Sequence, residues 1–358
     1  MKIITHLVVL CVMGMLGPVA AYDRIVIPQS AHPAVRAAAQ IIARRLGLAE
    51  GVVQAAAQPA AAPGAVVLLV DDRQAALQRD GYTAIAAGGG VTIRGIRPRA
   101  LLFAAGDVHL WRGLSDNTLT RDPAFAFRSA LYATRHSVAE FVAETGCNAV
   151  LVGQTGSVTF EKTLPEVFAR LDSAVQEKLQ RKQAEDAARA ARLVQECRDA
   201  DVEVYPMLYG NDAARWSPAL LEAALKAFPS AKGTSATQSW ERATLCPSDP
   251  AAWKVIEAYV SEYARQMDGA GLYTTFWDHY GLYCQCVRCR ANGLCRFENQ
   301  LAACVRHYHA ALAPLGKRLV VRTWSSGVPH WLQDQWVHAP GYDHFGGAGT
   351  SLWARVFS

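Results

Sequence analysis

The residues best equipped for chemistry stand together in Gly271-Leu-Tyr-Thr-Thr-Phe-Trp-Asp-His-Tyr280 and in the stretch that follows, Tyr283-Cys-Gln-Cys-Val-Arg-Cys289 with Cys295. A carboxylate at Asp278, an imidazole at His279, the rings of Trp277, Tyr280 and Tyr283 and four thiols all follow one short apolar, β-branched segment. Two carboxyl groups flanking a glycosidic bond hydrolyse it, with retention when they stand about 5–5.5 Å apart and inversion at about 6.5–9.5 Å. Asp278 is the first candidate for such a pair and Asp212, in Leu208-Tyr-Gly-Asn-Asp212, is its candidate partner; Glu241 in Ser239-Trp-Glu-Arg242 is a third acid. His279 can move a proton or bind a sugar hydroxyl. Arg322 and Trp324 combine a guanidinium able to clamp a carboxylate with a ring able to stack on a sugar, and Trp277, Tyr280 and Trp331 extend the aromatic surface. Each has a plain structural alternative: Asp278 and Asp212 can cap turns, and tryptophans in loops also serve as packing.

The thiols pose a separate question. The chain has nine cysteines. Cys284, Cys286, Cys289 and Cys295 are closely spaced, as in structural Zn²⁺ sites with four thiolates. The alternative is disulfides, for example Cys246 to one member of the cluster with a second bridge inside it, which an exporting cell would permit. Cys284 and Cys286 are too close in sequence to bridge each other comfortably. Disulfides are the favoured expectation; in either case the thiols stiffen the loop that carries Asp278. Cys147 and Cys197 are expected to be core thiols.

These residues need elements to position them. Arg24 to Arg112 reads as a small α/β domain: a strand at Arg24 to Pro28, a helix from Ala34 to Leu48 and a loop of Ala and Pro from Gln54 to Gly64. A buried strand follows at Ala65 to Asp71, then a hairpin at Tyr82 to Ala86 and Val91 to Gly95 about Gly88-Gly89-Gly90, and a helix from Pro98 to Trp111. After a polar connection at Ser115 to Pro123, strands at Phe127 to Ala133, Asn148 to Val152, Val202 to Leu208, Gly271 to Phe276 and Arg318 to Thr323 alternate with helices. The helices are Ser137 to Glu144, Leu164 to Asp199, Pro250 to Met267 and Arg296 to Leu312. The charged run from Glu177 to Arg192 reads as a solvated helix face. Strands alternating with helices make a parallel sheet, and the expectation is an α/β protein whose second part is a (β/α)₈ barrel. Five strands are evident, Tyr342 to Phe345 or Ser351 to Phe357 offers a sixth, and the barrel is expected to be incomplete at the C-terminus.

Lys2, the apolar run from Leu7 to Leu16 and Val19-Ala20-Ala21 form a secretory leader cleaved before Tyr22, so a secreted or periplasmic chain is expected, with no membrane association after cleavage. The expected organisation is a leader at 1–21, an accessory domain at 22–120 and a barrel at 125–358. A net charge of +5, with both signs mixed along the chain, argues against nucleic acid as a partner. Gly88-Gly-Gly90 is a hairpin turn, Val152-Gly-Gln-Thr-Gly-Ser157 lacks the lysine of a phosphate loop, and no Gly-x-Ser-x-Gly elbow occurs.

The order of the small domain, the segment Asp80 to Gly95, the helix Pro98-Arg-Ala-Leu-Leu-Phe-Ala-Ala-Gly-Asp-Val-His-Leu-Trp111 and the barrel resemble α-glucuronidases and the retaining β-hexosaminidases. Leu245-Cys-Pro-Ser-Asp-Pro250 and Tyr283 to Cys289 are similar to secreted bacterial relatives with α-glucuronidase-like barrels. The resemblance implies a carbohydrate substrate and carboxylate acid/base chemistry, which needs no organic cofactor; the cysteine spacing, apart from it, leaves structural Zn²⁺ as the one ion to consider. The His-x-Gly-Gly-Asp-Glu run of hexosaminidases is absent; Trp277-Asp278-His279-Tyr280 keeps one acid with no adjacent Glu. The alternative function is therefore a carbohydrate-binding protein without the catalytic pair. A metal-dependent hydrolase is disfavoured, because four thiolates leave no open position for water.

Overall fold

The computed structural model describes residues 22–74, 77, 80–132, 136–153, 156–209, 216–234, 245–275, 284–295 and 297–322. The chain divides into two compact units, with boundaries at 150/151, 194/195 and 203/204; the first unit comprises the part before 151 together with 195–203.

The first unit is built on a six-stranded sheet. Its strands are β1 (Arg24–Pro28), β2 (Val53–Ala56), β3 (Ala65–Val70), β4 (Tyr82–Ala87), β5 (Gly90–Gly95) and β6 (Thr118–Arg121), in the order β2-β1-β3-β5-β4-β6. Pairings β1/β2, β1/β3 and β3/β5 are parallel, while β4 runs antiparallel to β5 and β6. The hairpin closes with Ala87 opposite Gly90, leaving Gly88 (φ 60°) and Gly89 (φ 80°) as a two-residue turn in the left-handed conformation that suits the strand twist. Helix α1 (Pro33–Leu46) starts with Pro33 in its first turn and His32 accepting from the Ala34 N–H, and it ends at left-handed Gly47. Helix α2 (Pro98–Gly106) buries Ala100, Leu101, Leu102 and Phe103.

Three sequence expectations need correction here. The Ala-rich stretch read as a loop from Gln54 supplies the last three residues of β2, because its backbone completes the edge of β1 despite the low strand preference of alanine. The polar connection contains β6, whose alternating Thr118-Leu119-Thr120 pairs with β4. The helix from Pro98 to Trp111 breaks at Asp107 (φ −94°, ψ 20°), so that Val108–Trp111 is a separate α3. Asp107 accepts a hydrogen bond from the Tyr82 hydroxyl at 2.8 Å, a long-range contact that holds the side chain at the break.

A second sheet holds β7 (Ser129–Leu131), β8 (Ala149–Val152), β9 (Glu203–Tyr209), β10 (Gly271–Thr275) and β11 (Arg318–Arg322) in the order β11-β10-β9-β8-β7. Spatial order follows sequence order with no reversal, as in a barrel rather than a doubly wound sheet. The pairs β9/β10 and β10/β11 are parallel. Between the strands lie α4 (Val138–Thr145), α5 (Pro165–Phe168), α6 (Ser173–Asp199), α7 (Pro218–Ala227), α8 (Pro250–Gln266), α9 (Val287–Ala291) and α10 (Phe297–Leu312). Helix α4 opens with a capping box between Ser137 and Glu140. The helix expected from Leu164 to Asp199 is interrupted after α5, where the Gln176 amide donates to the Phe168 and Leu171 carbonyls that end the first turn. Helix α7 lies where no element was expected. The charged α6 is not wholly solvated: Asp186 is buried, accepting from Ser157 and pairing with Lys182 and Arg189.

The core of the second unit is aromatic. Trp216 stacks on Tyr259 with centroids 4.3 Å apart, and Phe160 meets both rings edge-on. A buried carboxylate, Glu262, is held among them by Thr159, Phe160, Thr163 and Gln183. Among the described residues no helix is long and apolar enough to cross a membrane. The expected sixth strand, at Tyr342 to Phe345 or Ser351 to Phe357, lies outside the described residues.

Candidate metal centre

Strands β9 and β10 are parallel neighbours with Tyr209 opposite Thr275, so the segments that follow them leave the same end of the sheet. From the first comes Cys246, three residues before Asp249, the N-cap of α8. From the second come Cys284, Cys286 and Cys289, the last two flanking the start of α9. The Sγ atoms of these four residues all lie within 4.8 Å of one another. Cys246, Cys284 and Cys289 are fully buried and Cys286 is half-buried.

Backbone and side-chain contacts fix the arrangement. The Cys246 N–H donates to the Ala231 carbonyl at 2.8 Å within the first segment, and the Gln285 N–H donates to the Thr234 carbonyl at 2.8 Å, tying the second segment to it. Asp249 caps α8 by accepting from the Ala251 N–H and also receives Arg288 of α9 at 2.7 Å. Three donors reach sulfur: Thr234 N–H to Cys284 at 3.3 Å, Cys289 N–H to Cys286 at 3.4 Å and Ser248 Oγ–H to Cys289 at 3.1 Å.

The cluster is electrostatically uneven. Burial pushes the Cys246 thiol up to about 11 and raises that of Cys289 as well. Burial acts the same way on Cys286, but the Cys289 N–H and the thiols of Cys284, Cys246 and Cys289 donate to it and bring it down to about 6. Four sulfurs converging on one point form a donor set suited to a soft metal.

Sequence spacing singled out Cys295 as the fourth ligand; the fold supplies Cys246 instead. Cys295 packs beside the cluster, with its N–H donating to the Cys289 carbonyl at 3.0 Å, but is not one of the four converging sulfurs. The disulfide expectation is also corrected. All eight described cysteines are free thiols, and Cys246 Sγ stands 3.6 Å from both Cys286 and Cys289, well beyond the ~2.05 Å of an S–S bond. Cys147 and Cys197 are buried thiols, as expected.

Asp278, Asp212, Glu241, His279, Trp277, Tyr280, Tyr283, Trp324 and Trp331 lie outside the described residues. Arg322 ends β11 in register with Thr275, so the backbone positions from which Arg322 and the Asp278 segment depart are direct neighbours. Sequence reasoning did not single out Glu257 and His307, which face each other across α8 and α10 at 2.5 Å, with Trp253 stacked on the imidazole at 3.9 Å. They line a groove of about 600 Å³ with Ser248 and Lys254. Their separation by 50 residues on two helices leaves no local pattern to find.

No protein-family model and no curated protein matches the chain. Solved structures do match. A mutant Streptomyces plicatus β-hexosaminidase in complex with product (GlcNAc) aligns with a TM-score of 0.52 and 14% identity, covering 94% of this chain and 68% of that one. A Vibrio harveyi GH20 exo-β-N-acetylglucosaminidase in complex with N-acetylglucosamine aligns at 0.51 with 12% identity, covering 84% and 51%. A Streptomyces coelicolor GH20 β-N-acetylhexosaminidase aligns at 0.49 with 13% identity, covering 84% and 61%. This chain therefore spans about half to two thirds of the length of these enzymes. The first two alignments establish a shared mixed α/β fold of the hexosaminidase type over most of this chain.

Proposed function

We propose that this chain acts on glycosidic bonds of an oligosaccharide or polysaccharide, with hexosaminidase-like carboxylate chemistry at the ends of its parallel strands. The observation that carries this reading is the fold likeness over 94% of the chain to a β-hexosaminidase in complex with GlcNAc. Fold by itself does not assign chemistry, so the reading also draws on the acids and aromatic residues that follow the parallel strands in sequence. Asp278 follows β10 by three residues and Arg322 closes the adjacent β11. In this reading Asp278 and Asp212 form the acid pair; His279, Trp277, Tyr280, Arg322 and Trp324 hold the sugar. The leader at 1–21 delivers the protein to the periplasm or beyond, and the accessory and barrel parts are those expected at 22–120 and 125–358.

A second reading is favoured by one observation. The chain has no His-x-Gly-Gly-Asp-Glu run, and Asp278 has no adjacent Glu. A carbohydrate-binding protein without turnover would fit that departure. An α-glucuronidase-like preference is a variant of the first reading, in which Arg322 receives a uronic carboxylate.

The test is aglycone release from aryl N-acetyl-β-glucosaminides, N-acetyl-β-galactosaminides and α-glucuronides, alongside thermal shifts with the corresponding oligosaccharides. Turnover of any of these supports hydrolysis and names the sugar. Thermal stabilisation without turnover sinks the enzymatic reading in favour of the binding one. Neither response excludes both.

A further inference from the structure

We propose that Cys246, Cys284, Cys286 and Cys289 bind one Zn²⁺ as four thiolates, forming a closed structural site that locks the segment following β9 to the segment following β10. The proposal is independent of the sugar chemistry. It starts from distance: Zn–S bonds of about 2.3 Å directed to the corners of a tetrahedron separate the sulfurs by about 3.8 Å. The Cys246 separations of 3.6 Å, and a set confined within 4.8 Å, match that edge length. Iron–sulfur clusters spread four cysteines over two or four irons, which holds sulfurs on different irons further apart than a single ion does, so four sulfurs all within 4.8 Å of one another fit one ion.

Composition of the site argues the same way. Cys246, Cys284 and Cys289 form a buried group of their own, with Cys286, Leu294 and Cys295 packed against it. Four sulfurs converging on one point with no bond between them are the donor set of a structural soft-metal site. The donors from Thr234, Ser248 and the Cys289 backbone suit sulfur atoms bearing negative charge. Arg288, held by Asp249 and the Ser230 carbonyl, places a cation beside a site that would carry net charge −2 when filled. On binding, the thiols release their protons to solvent and each sulfur donates one electron pair to the metal.

Four thiolates complete the tetrahedron, so the ion has no open position and performs no hydrolysis. Its effect is mechanical. The segment 276–283, which contains Asp278 and His279, runs from Thr275 at the end of β10 to Cys284 in the site. The ion therefore pins the far end of that segment to the loop preceding α8.

The experiment is metal analysis of the full-length protein, purified under reducing conditions from zinc-supplemented cells, together with the Co²⁺-substituted form. About one zinc per chain is expected, with the sulfur-to-cobalt charge-transfer band and intense visible transitions of tetrahedral S₄ ligation. Cys246→Ser should lose most of the metal, whereas Cys295→Ser should keep it. If Cys246→Ser does not fold, protection of four thiols from alkylation in zinc-replete wild type, abolished by a strong chelator, serves in its place. Wild-type protein without stoichiometric zinc, iron in its stead, a disulfide at Cys246, or retention of metal by Cys246→Ser overturns the proposal.

Discussion

Cys246 and Cys289 are 43 residues apart in sequence, yet their Sγ atoms stand 3.6 Å apart in the fold. The pairing follows from topology: two adjacent parallel strands discharge their loops at one end, and each loop brings sulfur to the same point. If a zinc ion joins them, its binding energy is part of the stability of the second unit. Removing it with a strong chelator should lower stability by about 4 kcal/mol where free zinc exceeds its Kd by about 1,000-fold. That loss corresponds to a fall in Tm of about 10 °C for a domain of this size. Differential scanning calorimetry before and after chelation, with zinc add-back restoring the original transition, checks the expectation. An unchanged Tm contradicts it.

Glu262 is a buried acceptor surrounded by donors: the Thr159 N–H at 2.7 Å, the Thr163 hydroxyl at 2.7 Å, the Gln183 amide at 2.9 Å and the Phe160 N–H at 3.1 Å. A carboxylate can accept all of them, but an amide at the same position points its own N–H groups at one side of the ring of donors. Glu262→Gln should therefore destabilise by about 2–3 kcal/mol, read as a shift of the urea midpoint at constant slope. A variant as stable as the wild type would show that the carboxylate is dispensable.

Asp80 is 5% exposed and pairs with Arg99 at 2.7 Å and Arg128 at 3.0 Å, with the Asn148 amide at 2.8 Å. Burial alone would raise its carboxyl, but the bonds from Arg99 and Asn148, the charge of Arg99 and the bond from Arg128 hold it below the ordinary range. A depressed carboxyl contributes stability fully above its unfolded pKa of about 4 and loses it as the pH falls through the lower folded value. The first unit should accordingly weaken below about pH 4 through this group. Asp80→Asn should flatten that dependence and, by removing the buried negative charge that Arg99 and Arg128 share, cost about 3 kcal/mol at neutral pH. Denaturant titrations across the acid range compare the two; parallel curves would remove Asp80 as the cause.

Gly271 opens β10 directly beside Arg318 of β11. A Cβ at this position would collide with the Arg318 carbonyl oxygen, a backbone atom that cannot rotate away. Gly271→Ala should force the two strands apart and destabilise by about 1–3 kcal/mol. Thermal unfolding monitored by near-ultraviolet circular dichroism reads the effect, and a neutral result would mean that this edge of the sheet yields.

Much of this architecture is legible in the chain itself. Pro33 and Gly47 bracket α1, Ser137 and Glu140 announce α4, and the β-branched, apolar run from Ala65 to Leu68 reads as buried strand. What sequence did not reveal depends on partners. Ala55 and Ala56 become strand because β1 offers an open edge, and Asp107, where the helix breaks, is held by the hydroxyl of Tyr82 from strand β4. The site shows the same division. The cluster from Cys284 to Cys289 is visible as spacing, but choosing Cys246 over the nearer Cys295 requires knowing that β9 and β10 are neighbours. Cys246 did carry a local signal, since it immediately precedes the Pro-Ser-Asp-Pro start of α8 in a loop on the same face.

The most direct measurement of the functional account compares kcat/KM for an aryl N-acetyl-β-glucosaminide between zinc-replete wild type and Asp278→Asn, with circular dichroism confirming that both are folded. The account predicts turnover by the wild type and a fall of about 10²- to 10⁴-fold in the variant, the contribution expected of a positioned acid or base. Equal rates in the two proteins would remove Asp278 from the chemistry, and a folded wild type inert toward every sugar tested would contradict the hydrolytic reading itself.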